Sequence, residues 1–160
     1  MHKVTVTKEM SHNVEAVWKV LDDYGSVYKY NPGVKTSDIL GAKRTGLGAR
    51  RQCNFCDGSS FKETIVEYVP NEGYSFTLSD FSLPLKSANS HFGLTAISGS
   101  KSSLSVTLEF EPKFGPLGWL MAKLLMRPAL TKTLNGLVSG LDDYMKSGQL
   151  FGESGELLAA

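Results

Sequence analysis

The sequence predicts an α+β domain: a curved antiparallel sheet of seven strands closed around one long C-terminal helix, with two short helices after the first strand. Three observations carry this. From Phe114 to Met145, the residues Leu117, Leu120, Met121, Leu124, Leu130, Leu134, Leu137, Leu141 and Met145 recur at helical spacing. The segments before them alternate apolar and polar residues, which gives a sheet one apolar face. Turn residues punctuate those segments at roughly the 8–12-residue spacing of an antiparallel meander. A helix this long must bury its stripe, and the apolar sheet face is the natural partner. A curved sheet closed over a helix leaves a cavity, and that geometry points to a binder of apolar small molecules.

Each element has its own reason. Val4 and Val6 alternate with Thr5 and Thr7 in a first strand. Ser11 is a candidate N-cap, and Val14, Val17, Trp18 and Leu21 then form one face of a short helix. Ser26 to Tyr30 reads as a second helical turn, stopped by Asn31-Pro32-Gly33. Strands follow over 34–40, 49–56, 60–69, 74–78, 87–97 and 104–110, with Asp57-Gly58 and Pro70-Asn71-Glu72-Gly73 as turns. Leu104, Val106, Leu108 and Phe110 give the cleanest alternation. Pro116 suits the first turn of the final helix, whereas Pro128 lies inside its pattern and predicts a kink or a division. Residues 1–147 make one domain, and 148–160, rich in Gly, form a loose tail.

Composition narrows the function classes. The chain has 160 residues, the size of one domain, and a hydrophobic fraction of 41%, enough for a real core. A net charge of +1 with scattered charges argues against a nucleic-acid partner. No apolar run reaches the roughly 20 residues of a membrane span. The start Met1-His2-Lys3-Val4 leads directly into an alternating pattern with no signal-peptide core, which predicts a cytoplasmic protein. Two cysteines are too few for a disulfide scaffold.

Several stretches also carry a resemblance. The run from Ala16 to Tyr24, followed by Tyr30-Asn31-Pro32-Gly33-Val34, is one. Gly46-Leu47-Gly48-Ala49-Arg50-Arg51 and the strand Phe61-Lys62-Glu63-Thr64-Ile65 are two more, with Gly115 to Leu120 and Leu125-Met126-Arg127-Pro128 in the terminal helix. In this order they resemble the polyketide cyclase/dehydrase family of the START-like, Bet v 1-like (SRPBCC) superfamily over roughly residues 3–147. The resemblance implies a helix-grip fold with a cavity for lipids, polyketides or other hydrophobic ligands. Its members include transport proteins and cyclases. It implies no shared catalytic set.

Strand alternation supplies a candidate lining. If Val106 and Leu108 face inward, so do Tyr74, Phe76 and Leu78, with Phe92, Leu94 and Ser90. Arg51, Cys53 and Phe55 share one face of their strand, and Phe61, Glu63 and Ile65 one face of the next. Leu124 and Leu134 complete the walls from the helix. Arg51 and Glu63 sit on strands joined by a hairpin and can meet in the cavity. They form either a polar anchor for a ligand carboxylate, hydroxyl or carbonyl, or an internal ion pair that completes the sheet.

Other features point less far. Cys53 and Cys56 have CxxC spacing but stand on a strand, without further ligands for zinc or the helix N-terminus of a redox site. His91 is a candidate general base, although its phase opposes Phe92. No nucleophile elbow, P-loop or dinucleotide fingerprint appears, so no cofactor or metal is expected. The apolar loop Phe81 to Lys86 either gates a cavity mouth or folds onto the core. Trp119 to Met126 is apolar nearly all round except Lys123. This stretch is clamped between sheet and helices, covers the mouth, or meets a partner chain or membrane surface. Three functions therefore stand: carriage of a hydrophobic small molecule, a cyclase moving protons through Glu63 or His91, and an interaction module, a homodimer included.

Overall fold

Alternation sets the sheet. In β7 (Ser102–Pro112) every second residue is buried, including Leu104, Val106, Leu108 and Phe110. A computed structural model describes residues 1–148 and 150 of the chain. Its order is β1 (His2–Met10), α1 (Val14–Asp22), a 3₁₀ helix (Tyr24–Lys29), β2 (Val34–Leu40), β3 (Arg50–Phe55), β4 (Ser60–Val69), β5 (Gly73–Ser79), β6 (Leu85–Ala96) and β7. Then come α2 (Gly115–Met121), a π-helical turn (Ala122–Met126) and α3 (Arg127–Ser147). The seven strands form one curved antiparallel sheet in the order β1-β7-β6-β5-β4-β3-β2, the predicted architecture. The predicted tail, 148–160, lies almost wholly outside the described residues. No helix among the described residues is long and apolar enough to cross a membrane.

Local chemistry differs from the expected pattern at three places. The N-cap of α1 is Asn13, not Ser11: its side-chain carbonyl accepts the Ala16 amide at 2.9 Å, which fixes the helix start at Val14. β6 begins at Leu85 rather than Ser87, so the end of the apolar loop is drawn into the sheet. The final helix is continuous, but its register changes. Pro128 has no N–H to offer the carbonyl one turn back. The backbone widens just before it, and the Arg127 amide donates five residues back to Ala122.

That register change splits the predicted apolar stripe. Leu117 and Leu134 already differ by about 100° in a regular helix, and the extra residue of the π turn adds a rotation of similar size. The two halves therefore point in roughly opposite directions. Leu134, Leu137, Val138 and Leu141 are buried against the sheet. Lys8 of β1 and Lys146 hold Asp142 at 3.9 and 2.8 Å, tying α3 to the sheet edge. In α2 and the π turn only Gly118 and Ala122 are buried. Gly118 is needed there, because a Cβ would sit 1.6 Å from the Lys113 carbonyl. Leu117, Leu120 and Leu124 face outward, so this stretch is not clamped between sheet and helices.

The core is aromatic at one end. Tyr74 stacks on Phe92 with centroids 5.3 Å apart, and its ring meets Tyr24 edge-on at 5.8 Å. Trp18 of α1 closes over Tyr74 at 6.0 Å. Such pairs contribute about 0.5–1.5 kcal/mol each beyond area burial.

Candidate functional site

The β3–β4 hairpin places Arg51 directly opposite Glu63 and Cys53 opposite Phe61, on the concave side of the sheet. Arg51 is 2% exposed and Glu63 5%. Arg51 Nε donates to Glu63 Oε2, and Nη1 donates to the Tyr24 carbonyl. The guanidinium lies over the Tyr24 ring at 3.9 Å and 5.7 Å from the centre of Phe76. Cys53 Sγ lies 3.7 Å from the same Glu63 oxygen. Among the described residues, two of the five guanidinium N–H groups are thus used, which leaves three for another acceptor.

The electrostatics follow from this packing. Burial is the largest single influence and disfavours the Arg51 charge, but the facing Glu63 carboxylate, together with Cys53, Tyr24 and Tyr74, holds the guanidinium well above its ordinary value. Burial pushes the Cys53 thiol up, and the Glu63 charge pushes it further. Burial likewise raises Tyr24, Tyr30 and Tyr74, all of which feel the Arg51 and Glu63 charges. The hydroxyls of these three tyrosines are buried and find no hydrogen-bond partner among the described residues. The ion pair is therefore the centre of a wider polar cluster inside an apolar core.

Next to this cluster lies a cavity of about 290 Å³. Phe76, Ala88, Phe92 and Leu108 form its sheet wall, and Leu130, Leu134 and Leu137 its helix wall. Val27, Asn31 and Val34 close one side. Arg51 and Glu63 are its buried charged residues. The mouth is marked by the exposed or half-buried lining residues Asp57, Phe81, Leu83, Met126, Ala129 and Thr133.

Of the residues singled out in the sequence, Arg51, Phe55, Glu63, Phe76, Phe92, Leu108 and Leu134 line this cavity together. Three do not. Tyr74 is buried among Trp18, Tyr24 and Phe92. Val106 points inward but is fully covered, in register with Val6 and Phe92. Leu124 is 61% exposed, because the π turn sends it outward. Alternation identifies the inward face of a strand but not which inward residues border empty space. The mouth residues Phe81, Leu83, Met126 and Ala129 were missed as lining because the loop has no periodicity and the helix changes phase. Within the Phe81–Lys86 segment, Leu85 packs in the core, as the second of its two expected roles requires, while Phe81 and Leu83 line the cavity near its mouth.

Other candidate chemistry lies elsewhere. His91 is exposed on the outer face of β6, where its Nδ1 lies 2.8 Å from Ser75 Oγ. Ser75 in turn donates to Glu67 at 2.7 Å. The order is acid, serine, histidine, so the carboxylate does not orient the imidazole as a nucleophile-activating triad requires. Cys53 is buried and Cys56 exposed, and both are free thiols. Among the described residues, no group of three or more His, Cys, Asp or Glu is arranged to hold a metal.

Solved structures share this architecture. XoxI from Bacillus cereus superimposes with a TM-score of 0.77 at 15% identity, covering 92% of this chain and 97% of its own. A START superfamily protein from Mycobacterium smegmatis gives 0.75 at 18%, covering 91% and 98%. The Zhui aromatase/cyclase from Streptomyces gives 0.70 at 12%, covering 92% and 97%. At such identities the likeness is one of fold. Among curated proteins, none matches the sequence. The family model described as polyketide cyclase / dehydrase and lipid transport matches residues 1–142, and with the cavity and the helix-wrapped sheet in place, the chain belongs to that family.

Proposed function

We propose that the protein binds one hydrophobic small molecule in the cavity between sheet and helix, with the polar end of the ligand at Arg51. The observation that carries this is a mostly apolar cavity that contains a single buried ion pair with donors to spare. Apolar walls supply affinity, and a few polar groups set orientation. The volume lies at the lower end of the roughly 300–1,000 Å³ typical of small-molecule sites. That size suits a single-chain lipid or one fused aromatic polyketide better than a two-chain lipid.

The ion pair also selects the head group. Glu63 already neutralises Arg51, so a ligand carboxylate would bring a second, unpaired negative charge into a low-dielectric site. A carbonyl, ester or hydroxyl accepts from the spare N–H groups without that cost. Competition against bound Nile red tests this with a medium-chain methyl ketone, the alcohol and the fatty acid of equal length. The ketone and alcohol are expected to bind at least about tenfold tighter at neutral pH, a difference of about 1.4 kcal/mol. Tighter binding of the fatty acid would overturn the head-group assignment.

One observation supports an enzymatic reading as well: Glu63 is a carboxylate both buried and bordering the cavity. A cyclase could use the walls to fold a flexible chain and Glu63 to move a proton. Loss of turnover in Glu63→Gln, with ligand binding kept, would favour that reading over carriage.

A further inference from the structure

Half of the large exposed hydrophobic residues among the described part of the chain, seven of fourteen, fall between Phe114 and Leu125. Phe114, Leu117, Leu120, Leu124 and Leu125 are each 47–68% exposed, on a helix that rests on the sheet through Gly118 and Ala122. Leu117, Leu120 and Leu124 stand at i, i+3 and i+7 and share one outward face. Trp119 sits beside them, 49% exposed, with Lys123 Nζ 5.4 Å from its ring centre. This helix runs directly into Met126 and Ala129 at the cavity mouth.

The charges along this segment of the chain have one sign. From Lys113 to Leu141 the sequence holds Lys113, Lys123, Arg127 and Lys132 and no Asp or Glu, although the whole chain carries a net charge of only +1. We propose that this face docks on the surface of an anionic lipid bilayer, with the apolar side chains in the interface and the cations against the head groups. Aromatic, leucine and basic residues on one helix face are the composition that lies in a membrane interface. A second copy of the chain fits less well. A two-fold contact would set this cationic segment against its own copy, with no acid in either segment to offset it. Docking on a bilayer brings the mouth of the cavity to the lipid, so an apolar ligand would pass between them without crossing water.

Vesicle flotation tests this. The full chain is expected to float with vesicles of phosphatidylcholine and phosphatidylserine, to float far less with phosphatidylcholine alone, and to be released by salt. Leu117→Glu/Leu124→Glu replaces exposed side chains, so the fold is kept; it should lower partitioning by more than about tenfold. Lys123→Glu should lower it about fivefold or more. Nile red binding in solution should be unchanged in both variants, which separates this surface from the cavity. No flotation with anionic vesicles, equal flotation with neutral ones, or full flotation of the double variant would overturn the proposal. So would a dimer at micromolar concentration that the double variant dissolves.

Discussion

Arg51→Met tests whether the buried pair is coupled as the geometry requires. The substitution leaves the Glu63 carboxylate 5% exposed with its charged partner gone. Breaking a buried pair from one side costs about 3–5 kcal/mol. The Tyr24 carbonyl also loses its donor, which adds about 1 kcal/mol. For 160 residues the entropy of unfolding is about 0.34 kcal/mol/K, so the combined loss of about 4–6 kcal/mol should lower Tm by about 12–18 °C. Glu63→Leu should be comparably damaging, because it strands the guanidinium. The double variant Arg51→Met/Glu63→Leu removes both charges and fills their space with apolar atoms, and should lose only about 1–2 kcal/mol. Urea unfolding of all four proteins, followed by circular dichroism, gives the coupling directly. The expected coupling is about 3 kcal/mol or more in magnitude. Additive single and double effects would refute the reasoning, because they would mean that neither charge depends on the other.

Stability should fall steeply in alkali. Cys53 ionises ordinarily at 9.0 and Tyr24, Tyr30 and Tyr74 at 10.0, and all four are raised in the folded protein. The unfolded chain therefore loses these protons first. Their stabilising contribution is complete below about pH 9 and decays above it, by about 1.4 kcal/mol per group per pH unit. Urea midpoints measured across that range should show it, and Tyr74→Phe should reduce the slope by one proton. In the native protein one thiol, Cys56, should react with a maleimide and Cys53 should stay protected until unfolding, since it is 1% exposed. Mass spectrometry counts the adducts. Ala88→Phe should place a ring in the cavity, abolishing Nile red binding while costing less than the about 1–3 kcal/mol of an overpacked core.

Much of this was legible in the sequence, for identifiable reasons. Period-two alternation in Leu104 to Phe110 specifies a strand and its inward face at once, and a one-residue slip would expose the whole set. The facing of Arg51 and Glu63 followed from alternation plus one hairpin. The helix was legible only in part. Its apolar period continues through Leu117, Leu124, Leu134 and Leu141, yet Pro128 changes the backbone register, and an exposed stripe follows the same spacing as a buried one. Tyr24 opens a 3₁₀ helix too short to show a period and Tyr30 caps its end, so their place beside the ion pair could not be read. The cavity itself depends on how far the helix stands off the sheet, a distance that no single residue encodes.

The account rests on one molecule sitting between sheet and helix with a neutral polar end at Arg51. The direct measurement is isotope-edited NMR of the protein with a medium-chain methyl ketone. The account predicts saturable binding, with contacts from the alkyl chain to the methyl groups of Leu108, Leu134 and Leu137 and a shifted Arg51 Nε–H. Contacts confined to Leu117 and Leu124 on the outer helix face, or no saturable contact with the interior methyl groups, would contradict it.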